Sequence, residues 1–322
     1  LTGFAWSLAS LLVIRILFGI GEGAFPSASL KQISESVGYA QRAKATSGII
    51  SSNYIGSAIA PLLIAPIMVS FGWKTTFHLM GLIGIVFVIV YYFNLRHVTY
   101  ASHSTRQQTR VRWSSVLHNR LIWQFFVVVF GLSIVTKGLD SWMPTYLLQA
   151  RHINLAGITW LVPLPALAAG GGAILSGYIM NKFFVNHEKW LIVLTSLLAT
   201  GFMFGMYSST SLVSVILFEI ATYFFKSIAF SSSFALFAML MDKDAYGSSV
   251  GIVNFGGQLA GFVAPLMIGY LVDQFSGSYS AAFLVLVVAA AVSFVAAITF
   301  NSQRLNADKQ VASQGGKTNE DY

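Results

Sequence analysis

Long apolar runs alternate with short polar segments along most of this chain. An apolar run of about 20 residues spans the hydrocarbon core of a bilayer as a helix. The pattern predicts a helical remnant at 1–9 and then nine spans, near residues 10–32, 45–69, 74–95, 121–148, 156–181, 189–208, 211–240, 247–274 and 280–301. The runs do not alternate between apolar and polar residues, as the strands of a membrane barrel would. The chain is therefore predicted to be an all-α polytopic membrane protein.

Positive charges gather on one side of the predicted membrane topology. When loops are assigned to alternate sides, fourteen of the nineteen lysines and arginines fall on the side of the segment 96–120, and the opposite side has only Lys74 and Arg151. Loops rich in Lys and Arg stay in the cytoplasm. We therefore expect an inner or plasma membrane protein whose central loop and C-terminus are cytoplasmic. The net charge of +8 then reflects topology, and no nucleic-acid partner is expected.

The composition argues against several kinds of chemistry. Only 9% of the residues are charged, against about 25% in soluble domains, and the mean hydropathy is +0.70. The absence of cysteine excludes disulfides, iron–sulfur clusters and thiolate metal sites. The six histidines have no metal-ligand spacing with other ligand residues, and no Ser/His/Asp arrangement is visible. We expect neither an enzyme nor a cofactor or metal.

The polar segment 96–120 separates two groups of spans that are related by an internal repeat. Residues 60–64 read APLLI and residues 264–268 read APLMI, and ten residues after each proline come a phenylalanine and then a glycine-containing turn. Parallel repeats of this kind build many transporters, although chance similarity of two Gly/Ala/Pro-rich helices is the alternative. We predict a partial N-terminal half at 1–95, a cytoplasmic central loop at 96–120, a six-helix C-terminal half at 121–301 and a disordered tail at 302–322. Two equal halves would require about two and a half further helices before Leu1, so the chain is expected to be N-terminally truncated.

Three pairs of charged residues lie inside the predicted spans. A charge at bilayer depth costs at least ~2.5–3.5 kcal/mol, so such residues face a protein interior or an aqueous pathway. The members of each pair are three or seven residues apart and therefore share a helical face. The pairs are Arg15 with Glu22, Lys137 with Asp140, and Glu219 with Lys226. Acids and bases that line the interior of a membrane protein predict a solute carrier.

The densest motif is RILFGIGEGAFP at residues 15–26. Arg15 offers a planar, permanently charged fork that suits a carboxylate. A low dielectric favours the neutral form of a carboxyl group, so Glu22 is the predicted proton carrier. The three glycines of the motif allow a neighbouring helix or a substrate to approach closely. A charge-paired packing site is the alternative interpretation.

With this motif the chain resembles the major facilitator superfamily and, within it, the anion:cation symporter group of sugar-acid, vesicular-glutamate and phosphate-type carriers. The fourth-helix pattern of that group matches Arg15, Gly19, Gly21, Glu22 and Pro26. Similar stretches of the group are NFGG at 254–257 in the eleventh helix, SNYIG at 52–56 in the fifth, and WMPTY at 142–146 in the seventh. Two features of the family are missing: its first helix, and the G-x-x-x-D-R/K loop between helices 2 and 3.

The resemblance implies a fold of two six-helix halves in which helices 1, 4, 7 and 10 line a central cavity. The three charged pairs fall on helices 4, 7 and 10 of that count. The resemblance further implies that Glu22 couples protons, that Arg15 binds or pairs with substrate, and that Asn53 and Asn254 bind its polar groups. The residue types add four further substrate-binding candidates, which are Tyr54, Lys137, Lys226 and Gln258. Asp140 and Glu219 are the predicted secondary charge partners.

The predicted function is proton-coupled symport of a small organic anion, a sugar acid or another carboxylate, by alternating access. The expected partners are that anion, protons and the lipid bilayer, and the protein is expected to be monomeric. A uniporter, an antiporter or a sodium-coupled carrier of the same fold remains open. So does a non-transporting or inactive truncated membrane protein.

Overall fold

The computed structural model describes residues 2–95, 116–153, 161–241 and 243–300, and nearly all of these residues are helical. A 3-10 turn at Thr2–Phe4, within the predicted remnant, precedes eight helices: α1 Leu8–Ser36, α2 Tyr39–Leu95, α3 Arg120–Gln149, α4 Pro163–Phe183, α5 Glu188–Ser208, α6 Leu212–Leu240, α7 Lys243–Gln274 and α8 Ser280–Ile298. The all-α prediction is confirmed. The predicted disordered tail at 302–322 and most of the predicted central loop lie outside the described residues.

Nine stretches of the described residues are long and apolar enough to span a membrane. The long helix α2 contains two of them, Gln41–Ile64 and Pro66–Phe93. Its backbone leaves helical geometry at Gly72, where φ is 75°, inside the break that the sequence predicts between residues 69 and 74. The equivalent turn after α7 has Gly277 at φ 86°. Both turns of the internal repeat thus place a glycine in the left-handed region, which side chains disfavour.

Polar residues at the helix starts explain where several helices begin. The Ser10 N–H donates to Ser7 Oγ over 3.1 Å, and the Ser7 N–H donates back to Ser10 Oγ over 3.0 Å, just before and within the first turn of α1. The side-chain Oδ1 of Asn119 accepts from the Leu121 N–H at 3.0 Å and caps α3. Pro163 opens α4, where a missing N–H costs nothing. Each residue satisfies or removes a donor that the first helical turn would leave free.

The chain divides into two compact units. The first consists of Leu1–Pro26 and Ile59–Val111, and the second of Ser27–Ala58 and Arg112–Tyr322. The sequence predicts two halves separated by the segment 96–120, most of which lies outside the described residues. In the first unit, the Phe4 and His78 rings pack with centroids 4.4 Å apart. In the second, residues 27–58 join the C-terminal helices.

The second unit is built on close helix pairs. Helix α3 packs on α7 and α8, α6 packs on α4 and α5, and α8 also packs on α5. Gly172 shows how near α4 and α6 come, because a Cβ there would lie 2.5 Å from the Phe224 carbonyl oxygen. The glycine run at 170–172 therefore serves close helix packing, as its apolar context indicates.

Buried serines join α2 to α4 and α6 in the second unit. The hydroxyl of Ser47 lies 2.9 Å from that of Ser176 and 3.1 Å from that of Ser231. One turn further along α2, the Ser51 hydroxyl donates to the Gly170 carbonyl over 2.9 Å. We refer to Ser47, Ser51, Ser176 and Ser231 as the serine seam. Its hydroxyls satisfy one another where water is excluded.

Candidate functional site

Lys226 is the centre of the candidate site. It lies on α6 and is 1% exposed. Its Nζ donates to the Tyr54 hydroxyl over 2.9 Å and to the Thr136 hydroxyl. Three elements of the second unit therefore meet at one ammonium group: α6 supplies the lysine, α2 supplies Tyr54, and α3 supplies Thr136.

Aromatic faces surround the same ammonium group. Lys226 Nζ lies 4.8 Å from the ring centroid of Tyr54, 5.5 Å from that of Tyr223 and 5.6 Å from that of Phe230. A cation over a desolvated ring gains up to about 2 kcal/mol. Among the described residues no carboxylate forms an ion pair with Lys226. Among the described residues, the direct partners of this buried positive charge are thus neutral oxygens and aromatic rings.

Tyr223 connects this cation to an acid. Its hydroxyl donates to Asp140 Oδ1 over 2.6 Å and lies 3.4 Å from the Thr136 carbonyl oxygen. Asp140 is exposed, so the connection runs from a buried cation to an open face of α3. We refer to Lys226, Tyr54, Thr136, Tyr223 and Asp140 as the lysine cluster.

Glu219 lies on α6 one turn before Tyr223 and is 4% exposed. Within the described ranges its carboxylate makes no hydrogen bond and no ion pair. A carboxylate that is buried without a partner is costly as an anion. The structure places Glu219 in the interior of the second unit.

The structure brings three of the predicted site residues into one network: Tyr54, Lys226 and Asp140. Lys137 is exposed one turn before Asp140, and no ion pair joins the two in the part of the chain described. The Lys137 stem runs beside α7, since a Cβ at Gly261 would lie 3.8 Å from it. The predicted local pair is therefore replaced by the hydrogen bond from Tyr223.

The remaining predicted residues stay outside the lysine cluster's hydrogen bonds. Asn254 is half-buried and Gln258 exposed, one turn apart on α7, and neither side chain has a hydrogen bond to another described residue. Asn53, the neighbour of Tyr54, is exposed.

Arg15 and Glu22 belong to the first unit, and both are exposed. The Arg15 guanidinium carbon lies 5.4 Å from the Phe77 ring centroid. No ion pair between Arg15 and Glu22 is present among the residues described. The charge-paired packing alternative thus has no direct contact to support it here.

Three members of the site were not among the predicted residues: Thr136, Tyr223 and Phe230. Thr136 lies four residues before Asp140, and Phe230 four residues after Lys226, so each shares a helical face with a charged residue. That spacing is the only local signal they carry. Tyr223 lies between Glu219 and Lys226 in the sequence, and that position does not indicate its hydrogen bond to Asp140.

Membrane-length helices that pack around the buried ammonium group of Lys226 are typical of a polytopic membrane transporter. The sequence profile of the Major Facilitator Superfamily matches residues 1–224 and 187–318. The chain therefore belongs to this superfamily, as its fourth-helix motif indicates.

Curated relatives and solved structures agree with this assignment. The hexuronate transporter of Bacillus subtilis is 25% identical, over 92% of this chain and 74% of the relative. The D-galactonate transporter of Escherichia coli is 24% identical, over 92% of this chain and 75% of the relative. The crystal structure of the E. coli fucose:proton symporter FucP has the same fold, with a TM-score of 0.73 and 14% identity, over 92% of this chain and 78% of that one. The predicted resemblance to sugar-acid carriers of the superfamily is confirmed.

Proposed function

We propose that this protein is a proton-coupled symporter of small organic anions that works by alternating access. The observation that carries the proposal is the buried ammonium group of Lys226, which has hydroxyl and aromatic partners but no ion-paired carboxylate among the described residues. No negative charge among these direct partners neutralises the ammonium group. An anion that reaches Lys226 would neutralise it.

The chemistry of Lys226 suits a carboxylate. An ammonium group has three N–H donors, and Tyr54 and Thr136 accept from two of them. A charge-assisted hydrogen bond from the third contributes about 1.5–3 kcal/mol when water is excluded. The lysine cluster therefore binds the acidic end of the substrate.

Sugar acids are the substrate class that best fits these groups. The two relatives above carry names for hexuronate and D-galactonate, each of which combines one carboxylate with several hydroxyls. Asn53, Asn254 and Gln258 supply amide donors and acceptors for such hydroxyls. Arg15 and Lys137 supply further positive charge during loading and release.

Proton coupling falls to Glu22 in this proposal. A carboxyl group in a membrane helix exchanges a proton readily when its surroundings alternate between wet and dry. Binding of the anion would neutralise the charge of Lys226 and protonation would neutralise that of Glu22, and neutral groups cost less to enclose in the membrane than charged ones. The central loop and C-terminus would lie in the cytoplasm, with the protein monomeric in the inner or plasma membrane.

Uptake into proteoliposomes tests the proposal. The purified protein is reconstituted, and accumulation of labelled D-glucuronate is followed with and without an inwardly directed proton gradient. We expect the gradient to drive accumulation. Glu22→Gln is expected to abolish gradient-driven accumulation while preserving exchange of labelled for unlabelled substrate. Asp273→Asn, an acid-to-amide change at an exposed helix end, is the matched control and is expected to behave as the wild type.

Two results would contradict the proposal. Full gradient-driven accumulation by Glu22→Gln protein would remove this residue from proton coupling. Accumulation driven by a sodium gradient at equal pH would assign the coupling to sodium instead, and would leave the assignment of the anion site untouched.

A further inference from the structure

A cavity lies at one end of the C-terminal helices, where α3 and α5 end and α6 and α8 begin. Its volume is about 250 Å³. Its polar lining includes Arg151, Tyr207, Ser209 and Tyr279, and none of its lining residues is acidic. The cavity shares no lining residue with the lysine cluster. The proposed function does not use it.

Arg151 supplies the positive charge of this cavity. Its Nε donates to the Tyr146 hydroxyl and its Nη1 to the Thr210 carbonyl, each over 2.6 Å. These contacts hold the guanidinium in place against the Tyr146 ring, whose centroid lies 5.4 Å away. A guanidinium has five N–H donors in a fixed fork, so three remain for a ligand. In the part of the chain that is described, no carboxylate pairs with Arg151.

Tyr279 supplies a second, independent observation. It lines the cavity and is 7% exposed, yet its hydroxyl has no hydrogen-bond partner among the residues that the structure describes. Burial raises the pKa of Tyr279, so the hydroxyl remains a proton donor at neutral pH. A buried polar group without a partner costs about 1–3 kcal/mol. An acceptor that enters the cavity would remove that cost.

The backbone around the cavity also favours an anion. The lining includes Ser280, the first residue of α8, and the positive end of a helix attracts negative charge. Gly277, whose φ is 86°, forms part of the wall. Arg151, Tyr279 and the first residue of α8 therefore all line one small space.

We propose that this cavity is a second binding site, specific for a small carboxylate solute, with Arg151 as its charge partner and Tyr279 as its second donor. The inference goes beyond the proposed transport cycle, because binding at this site requires no translocation. On the topology predicted from the charged loops, the site faces the outside and holds the anion before it reaches the lysine cluster.

Fluorine NMR of protein labelled with 5-fluorotryptophan tests this site directly. Trp142 is the reporter, because its ring centroid lies 6.3 Å from that of Tyr279, and Trp142→Phe assigns its signal among the seven tryptophans. D-Glucuronate is titrated into Lys226→Met protein, so that the lysine cluster does not contribute. We expect a saturable shift of the Trp142 signal, and no shift with D-glucose, the uncharged counterpart.

Three variants in the Lys226→Met background locate the binding. Arg151→Gln is expected to raise the half-saturating concentration about tenfold or more, and Tyr279→Phe about threefold to tenfold. Tyr279→Phe keeps the ring packing and removes only the hydroxyl, so its thermal stability should not fall while its affinity does. Arg120→Gln changes an exposed arginine at the opposite end of α3 and is expected to have no effect.

The outcomes separate this site from the rest of the molecule. An unchanged half-saturating concentration in both Arg151→Gln and Tyr279→Phe protein would overturn the proposal, as would an equal response to D-glucose. Loss of the response in nanodiscs containing phosphatidylglycerol, but not in zwitterionic ones, would assign the cavity to a lipid head group and overturn the solute assignment. Failure of proton-driven uptake would contradict the proposed function alone.

Discussion

Two lysines of this protein make nearly the same contact in different surroundings. Lys226 Nζ lies 2.9 Å from the Tyr54 hydroxyl and 4.8 Å from the ring centroid. Lys182 Nζ lies 2.7 Å from the Tyr178 hydroxyl and 5.2 Å from that ring. Lys226 and Tyr54 join two helices, α6 and α2, that are far apart in the sequence, and their contact lies inside the protein. Lys182 and Tyr178 both lie within the last two turns of α4 and are exposed.

The comparison shows that a hydrogen bond between a lysine and a tyrosine is not sufficient to form a binding site. Water and salt screen the exposed Lys182 pair, and surface interactions of charged groups contribute about 0–1 kcal/mol. Lys226 has exchanged its water for two hydroxyls and three aromatic faces. Its charge is therefore available to a ligand at close range and low dielectric, where charge interactions are strongest.

Replacing each lysine by methionine should give the largest contrast. Lys226→Met removes the proposed charge partner of the substrate, so we expect the dissociation constant for D-glucuronate to rise about 10–150-fold, as loss of a charge-assisted hydrogen bond predicts. Lys182→Met should change it less than about twofold. Equilibrium binding of the labelled sugar acid measures both.

Thermal unfolding of the same two variants separates binding from folding. An apolar side chain of similar length often replaces a buried charge without loss of stability. We therefore expect Lys226→Met to retain the wild-type unfolding temperature. Normal binding by Lys226→Met protein would remove the lysine cluster from the substrate site.

The tyrosine partners should give a smaller contrast. Tyr54→Phe keeps the ring over Lys226 and removes the hydroxyl acceptor, and we expect about a 2–10-fold loss of affinity, in line with one hydrogen bond. Tyr178→Phe makes the same chemical change beside Lys182 and should have no measurable effect on binding. Equal effects of the two changes would mean that burial does not distinguish the two pairs.

The smallest expected effect is an increase in affinity for the sugar acid, and it concerns Asp140. Asp140→Asn keeps an oxygen acceptor for the Tyr223 hydroxyl but removes a negative charge from the lysine cluster. Repulsion of the anion then falls, and we expect roughly 2–5-fold tighter binding of D-glucuronate, more at low salt than at high salt. Weaker binding by Asp140→Asn protein would show that the carboxylate acts through positioning of Tyr223 instead.

The helices could be predicted from the sequence because the length of each apolar run by itself indicates a membrane-spanning helix. The break between the two spans of α2 was likewise visible at the polar and glycine positions around Gly72. The grouping of residues 27–58 with the C-terminal helices was not, since it depends on contacts between distant segments. The pattern of apolar and polar residues along one helix shows which of its faces is buried. It does not identify the helix that packs against that face.

The candidate site divides in the same way. Lys226 and Asp140 were found because charges are rare in membrane helices. Thr136 was missed because a hydroxyl in such a helix usually bonds its own backbone, as Thr136 also does with the Leu132 carbonyl at 3.2 Å. The contact between Lys226 and Tyr54 crosses 172 positions of sequence, and no spacing rule extends that far.

The serine seam has a consequence for the environments in which this protein can work. Its contacts from α2 to α4 and α6 are made by neutral hydroxyls and one carbonyl. Dissolved ions weaken attractions between opposite charges but have little effect on buried neutral hydrogen bonds. The contacts of the serine seam should therefore hold equally well in fresh water and in brine.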